Sequence, residues 1–178
     1  VLGSDQGRNV YKKKLLRLVE QYRLTNEVKF FDKCELMPLA YKISDVIVSS
    51  SIEPEAFGRV SVEAQAMEKP IIASNIGGSK ETIVNDKTGF LFEAQKPEEL
   101  SKKIIHVLNL DESFGIQLSV NSVSILNKIG FNILSKVEKY HPSKINFYSM
   151  SNKIVAIKST IPPGTTNDLN KKYHMDTL

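Results

Sequence analysis

Two glutamates eight positions apart, Glu55 and Glu63, are the side chains of this sequence best suited to chemistry. A carboxylate accepts hydrogen bonds from two neighbouring hydroxyls, so such residues suit the recognition of ribose and hexose rings. If the residues between them are mostly helical, the two carboxylates lie roughly 12 Å apart along the helix axis. That distance suits the two ends of a nucleotide-sugar. Glutamate is also common near helix starts because of the helix dipole, so the spacing alone leaves a purely structural role open for either residue.

Glycines near predicted helix starts are the second candidate feature. Gly58 would let a diphosphate approach the backbone closely, and the amides of Gly58, Arg59 and Val60 would face it. Gly77 and Gly78 precede another predicted helix and would allow a similar approach. An ordinary turn explains both glycine sites as well, and Arg59 is then only a surface cation.

Strands alternate with helices along residues 1–112, and this alternation must position the candidate residues. Short apolar runs predict strands, and apolar residues at helical spacing predict helices. The predicted strands are Val28–Phe31, Asp45–Ser49, Ile71–Ser74 and Phe90–Phe92, after a strand end at residues 1–4; the predicted helices are Asn9–Leu24, Leu36–Ile43, Phe57–Met67, Lys80–Val84 and one from Pro97 with Leu100, Ile104, Ile105 and Leu108 on one face. The pattern predicts a Rossmann-like α/β fold, a parallel sheet with helices on both faces. Ligands bind beyond the carboxyl ends of such strands, where the two candidate turns should converge.

Residues 113–178 form a second part in this prediction, an irregular α/β tail with a helix at Phe131–Tyr140 and a strand at Lys153–Lys158. Residues 1–113 carry 16 basic and 17 acidic side chains, whereas residues 114–178 carry 8 basic and 3 acidic ones, so the positive net charge of +4 comes from the tail. Dispersed lysines without a basic aromatic platform favour a solvated surface over nucleic-acid binding. Contact with a membrane surface is the alternative.

The cysteine and histidine residues limit which disulfides and metal sites the chain can form. Cys34 is the only cysteine, which excludes an internal disulfide and fits a reducing, cytoplasmic compartment. His106, His141 and His174 are scattered, so neither a metal site nor a cofactor is predicted. No apolar run approaches the roughly 20 residues that cross a bilayer. The first residue, Val1, is not a methionine, and the opening residues are typical of the end of a strand, which suggests a fragment.

The motif EAFGRVSVE resembles the E-x7-E element of family 4 retaining glycosyltransferases, which have the GT-B fold. The similarity extends to PLAYKISDVIVSSSIEPEAFG before it and to KPIIASNIGGSKETIVNDKTGFLF after it, and it covers residues 1–112. The resemblance implies a C-terminal, donor-binding domain of such an enzyme. It also implies that the donor is a nucleotide-diphosphate sugar and that no metal is needed.

The same resemblance assigns roles to the candidate residues by their place in the motif. It implies that Glu55 contacts the donor sugar as the catalytic carboxylate and that Glu63 contacts the ribose. The amides that follow Phe57 and Gly58 would bind the diphosphate, and two glycines would line the donor pocket. The expected donor-site residues besides the two glutamates are Phe57, Gly58, Arg59, Val60, Gly77 and Gly78.

Two parts of that family's pattern are missing from this sequence. The basic G-R…K-G element that holds the diphosphate is absent, and so is the N-terminal domain for the glycan or lipid acceptor. The expected function is therefore the donor-binding part of an incomplete glycosyltransferase, cytoplasmic or at the inner face of the membrane, and inactive when isolated. A non-catalytic remnant that binds nucleotides weakly is the alternative.

The tail segment KIVAIKSTIPPGTTNDL, residues 153–169, is similar to a strand and loop of UDP-glucose and GDP-mannose 6-dehydrogenases. In that family the loop lies near the nicotinamide cofactor, and the threonine that matches Thr160 assists at the active site. Neither a G-x-G-x-x-G fingerprint nor the catalytic cysteine motif accompanies it, so a dehydrogenase fragment ranks below the two other hypotheses.

Overall fold

The computed structural model describes residues 1–3, 9–31, 34, 37–110, 121, 122 and 124, together with the backbone of residues 155–157. Its helices are α1 (Asn9–Gln21), α2 (Met37–Ile43), α3 (Arg59–Ala66), α4 (Ser79–Thr82) and α5 (Pro97–Leu108); its strands are β1 (Val46–Ser49), β2 (Ile71–Ser74), β3 (Phe90–Phe92) and β4 (Val155–Ile157). The predicted alternation of strands and helices is confirmed. The predicted helix Phe131–Tyr140 lies outside the described residues.

The four strands form one parallel sheet in the order β3-β2-β1-β4. In β1, Ile47 stands opposite Ile71 of β2 and Ala156 of β4. All four residues of β1 and of β2 are buried, which explains why the first three residues of each strand are all apolar, without alternation. The parallel direction brings the carboxyl ends of β1 and β2 side by side.

The core lies on both faces of the sheet, because neighbouring residues of a strand point to opposite faces. On one face, Ile47 and Ile71 pack with residues of α2 and α3, including Tyr41 and Ala64. On the other face, the core residues are Val46, Val48, Ile72, Phe90, Phe92 and Val107, with Leu100, Ile104, Leu108 and Leu110 packed against them. Helices therefore cover both faces, as the sequence predicts.

The inward face of α5 differs by one residue from the prediction. Ile105, expected on the apolar face, is 58% exposed, whereas Val107 is buried against the sheet. Leu100, Ile104, Val107 and Leu108 share one side of the helix, and Ile105, about 100° further round than Ile104, falls outside that side.

The predicted strand Val28–Phe31 is reduced to an isolated bridge between Phe31 and Leu2. Gly3 N donates to Phe31 O at 3.0 Å, and Phe31 N donates to Val1 O at 2.8 Å. This pair is separate from the four-stranded sheet.

Described parts of the tail contact the first part of the chain. Asn121 Nδ2 donates to Lys87 O at 3.1 Å, and Ser122 Oγ donates to Thr88 O at 3.2 Å. The backbone of β4 pairs with β1, and it falls within the predicted strand Lys153–Lys158. The division of the chain at residue 112 into two parts stays a prediction.

Candidate functional site

Two loops meet at the carboxyl end of the sheet, one following β1 and the other following β2. Their contact is a main-chain hydrogen bond, with Gly78 N donating to Glu55 O at 2.8 Å. The order of β1 and β2 in the sheet makes this contact possible, because adjacent parallel strands deliver their following loops to the same edge. The two turns that the sequence singles out are therefore brought together.

The first loop packs so closely against Gly77 and Gly78 of the second loop that neither position has room for a side chain. A Cβ on Gly78 would lie 2.4 Å from Phe57 C, and a Cβ on Gly77 would lie 2.4 Å from Glu55 O. Gly77 also has a φ of 53°, a conformation that side chains disfavour. The close backbone approach that these glycines allow is thus between the two loops. Their place in a donor pocket stays a prediction.

Helix α3 begins at Arg59, two residues later than predicted, and Gly58 is its N-cap with a left-handed φ of 69°. The helical hydrogen bonds start with Ser61 N, which donates to Gly58 O at 3.0 Å. Amides that precede the first such bond have no acceptor within their own helix. In α3 these are the amides of Arg59 and Val60, two of the three amides in the predicted diphosphate site, which stays a prediction.

Glu63 lies in the second turn of α3, and its two oxygens face different donors. Tyr41 Oη donates to Glu63 Oε2 at 2.5 Å, and Arg59 Nη2 lies 3.4 Å from Glu63 Oε1. The Glu63 side chain is 32% exposed, whereas that of Arg59 is 80% exposed. Burial, followed by the hydrogen bond to Glu63, raises the pKa of Tyr41 well above its ordinary value, so the phenol stays protonated and donates. Glu63 thus has a structural partner besides any ligand.

Glu55 stands half-buried in the loop after β1, and Ser51 Oγ donates to its Oε1 at 2.9 Å. Both its main chain and its side chain are therefore held, since Glu55 O accepts from Gly78 N. Because α3 starts only at Arg59, residues 56–58 belong to the loop. The separation of roughly 12 Å that a continuous helix would give does not describe Glu55 and Glu63.

The side chains of the other predicted site residues differ in exposure. Phe57 is 43% exposed, whereas Val60 is 3% exposed and packs in the core. The Val60 side chain therefore cannot reach a ligand, and only its amide can serve the predicted site.

No sequence pattern points to Gln65, which is buried on α3. Its Nε2 donates to Ser61 O at 3.1 Å and to Thr82 O at 2.9 Å. The second bond joins α3 to α4, the helices that follow the two loops, so Gln65 helps to fix the loops relative to each other. A buried glutamine among the apolar positions of a helix is the one signal that could have marked it.

Within the described ranges, no group of three or more histidine, cysteine, aspartate or glutamate side chains is arranged to hold a metal ion. In the same part of the chain, no helix is both long and apolar enough to cross a membrane.

Residues 3–115 match the family model described as "Glycosyl transferases group 1". The chain is 37% identical over 91 residues to the capsular polysaccharide biosynthesis glycosyltransferase CapM of Staphylococcus aureus, a match that covers 51% of this chain and 21% of CapM. The crystal structure of a glycosyltransferase from Rickettsia africae ESF-5 is similar with a TM-score of 0.69 and 33% identity, covering 80% of this chain and 38% of that one.

A second solved structure, Anabaena Alr3699/HepE in complex with UDP-glucose, is similar with a TM-score of 0.69 and 26% identity. The match covers 81% of this chain and 40% of HepE. The chain thus spans less than half the length of each of these three proteins.

Proposed function

Because the chain belongs to the group 1 glycosyl transferases, we propose that residues 1–112 form the donor-binding part of a retaining glycosyltransferase. The observation that carries the proposal is the junction of the two loops, where Gly78 N donates to Glu55 O at the carboxyl end of a parallel sheet. In sheets of this kind the ligand binds in that position. The UDP-glucose in the HepE complex supports a nucleotide-sugar as the ligand class.

In this proposal the donor lies along the junction with its two ends on the two glutamates. The start of α3 supplies the amides of Arg59 and Val60 for the diphosphate, where the positive end of the helix dipole favours an anion. The ribose hydroxyls donate hydrogen bonds to Glu63, and hydroxyls of the sugar donate hydrogen bonds to Glu55, which also acts as the catalytic carboxylate. The residues that complete the site are Phe57, Gly58, Gly77 and Gly78.

Replacing each glutamate with glutamine is expected to affect different ligands. Glu63→Gln should weaken the binding of UDP and of UDP-glucose by about tenfold each, because both ligands contain ribose and the variant loses a charged acceptor. Glu55→Gln should weaken the binding of UDP-glucose to a similar degree. The affinity for UDP should not change, because UDP lacks the glucose that Glu55 is proposed to bind. Isothermal titration calorimetry with both ligands measures the two affinities.

Glu53→Gln is the matched control, since Glu53 is an exposed glutamate in the same loop as Glu55. Its affinities for both ligands should equal those of the unmodified chain. GDP and GDP-sugars are titrated in parallel, because the sequence does not select the nucleotide. If no nucleotide or nucleotide-sugar binds at millimolar concentration, the donor-site proposal is wrong for this chain.

Transfer of the sugar requires parts that lie outside the matched donor-binding region. We infer that the acceptor, a glycan or a lipid, binds to a further N-terminal domain, and that the isolated chain binds a donor without transferring its sugar. The single Cys34 favours a cytoplasmic location, and the basic tail offers a contact for the inner membrane face. Sugar transfer catalysed by the isolated chain would contradict this inference.

The tail's resemblance to nucleotide-sugar 6-dehydrogenases stays a prediction. Its described strand, β4, pairs with β1 of the glycosyltransferase-like sheet. That pairing favours a role in the same fold over a separate oxidising activity, so the dehydrogenase hypothesis still ranks below the other two.

A further inference from the structure

The hydrogen bond from Tyr41 to Glu63 joins the two helices that flank β1 in the sequence. Tyr41 lies on α2, which precedes β1, and Glu63 lies on α3, which follows it. Tyr41 is only 3% exposed, and it packs in the core with Ile47 and Ala64. Close packing in a core restricts the ring to one orientation, and a fixed ring places its hydroxyl at one point.

The hydroxyl can orient Glu63 more strongly than the neighbouring arginine can. Tyr41 Oη lies 2.5 Å from Glu63 Oε2, whereas Arg59 Nη2 is 3.4 Å from Oε1 on a side chain that is 80% exposed. Exposed ion pairs on successive helical turns contribute little, because solvent screens them and both side chains lose freedom. A buried donor at a fixed position has neither disadvantage.

We propose that Tyr41 is a positioning residue that holds the Glu63 carboxylate in the orientation that receives the ribose diol. The inference rests on the proposed ribose role of Glu63. A carboxylate has about four acceptor positions on its two oxygens, so a bond from Tyr41 is compatible with further bonds from hydroxyls. Fixing the glutamate before the ligand arrives removes the loss of side-chain freedom that binding would otherwise cause.

The test is calorimetry of the full chain with UDP and with 2′,3′-dideoxy-UDP, which lacks the diol. Tyr41→Phe keeps the ring and its packing and removes only the donor. We expect UDP to bind about three- to tenfold more weakly to this variant. The affinity for the dideoxy compound should not change. In the Glu63→Ala background, which leaves Tyr41 no acceptor at this position, adding Tyr41→Phe should cause no further loss of UDP affinity, because Tyr41 acts through Glu63.

The outcomes separate this inference from the proposed function. If the unmodified chain binds no nucleotide, or if Glu63→Gln leaves UDP binding unchanged, the ribose role of Glu63 is wrong and the inference fails with it. If Glu63→Gln weakens UDP but Tyr41→Phe does not, or if Tyr41→Phe weakens both ligands equally, Tyr41 is a core residue without a positioning role. Circular dichroism verifies that each variant is folded. If Tyr41→Phe does not fold, Tyr41→Met replaces it, because methionine also lacks the donor. The expected result is the same: weaker binding of UDP and unchanged binding of the dideoxy compound.

Discussion

Replacing Gly78 with alanine is expected to lower the free energy of unfolding by about 2–3 kcal/mol. The added Cβ would lie 2.4 Å from Phe57 C, 2.6 Å from Phe57 Cα and 2.7 Å from Phe57 O. All three are backbone atoms, so no flexible side chain can move aside, and the two loops must separate. The φ of Gly78 is −63°, which alanine adopts readily, so the whole effect is steric. The midpoint of urea unfolding, followed by circular dichroism, measures it.

Lys80→Ala is the control for Gly78→Ala, because Lys80 is exposed and lies on α4, the short helix that Gly78 caps. Its free energy of unfolding should stay within about 0.5 kcal/mol of the unmodified chain. Separation of the loops should also abolish donor binding in Gly78→Ala, whereas Lys80→Ala should keep it. Equal stability of the two variants would show that the loop junction is looser than the contacts indicate.

The strands of the four-stranded sheet and the convergence of the two loops could be predicted from the sequence, whereas the predicted strand Val28–Phe31 is only an isolated bridge. Strands buried on both faces are uninterrupted apolar runs, and for Ile71–Ser74 and Phe90–Phe92 the predicted bounds are those of the structure. The meeting of the two loops follows from parallel topology alone. Proline at the first position likewise marks the start of α5, since its missing amide is not needed there.

Features that depend on distant parts of the chain could not be predicted. The sequence pattern predicts the start of α3 at Phe57, because it does not reveal the left-handed conformation of Gly58, whose neighbour is Ser79 at the start of α4. The contact of Tyr41 with Glu63 joins residues 22 positions apart and needs the packing of two helices. The sequence predicts that the two loops meet, but it does not predict that the backbone of the first loop lies against Gly77 and Gly78, because a sequence shows that glycine is present and not what approaches it.

The sequence also could not specify which strand pairs with β4. The backbone hydrogen bonds of that pairing predict a large loss of stability in one proline variant of β4. Ile47 N donates to Pro70 O at 2.8 Å, so the amide of Ile47 points toward β2. Successive amides of a strand point to opposite sides, so those of Val46 and Val48 point toward β4. Ala156 stands opposite Ile47, which places its amide between these two residues and toward β1.

Proline substitutions along β4 should therefore have alternating effects. Ala156→Pro removes a hydrogen bond to β1 and is expected to lower the free energy of unfolding by about 2 kcal/mol. Val155→Pro and Ile157→Pro replace amides that point away from β1, and β4 is one of the two edge strands of the described sheet. Proline is tolerated on that side of an edge strand. Unfolding midpoints of the three full-length variants measure the pattern.

Alanine variants separate the backbone effect from the loss of a side chain. Val155→Ala and Ile157→Ala are the references for the proline variants at those two positions, and the unmodified chain serves for Ala156. Against these references, only Ala156→Pro should lose stability, because only there does proline remove a donor to β1.

The alternation itself is the decisive result, because general damage to the tail would not follow the direction of the amides. Equal losses in the three variants would indicate that the substitutions disturb the tail without regard to register. No loss in any of them would show that β4 does not stabilise the sheet. The expected pattern would instead make residues 155–157 part of the fold that carries the donor site, because β1 leads directly into the loop that holds Glu55.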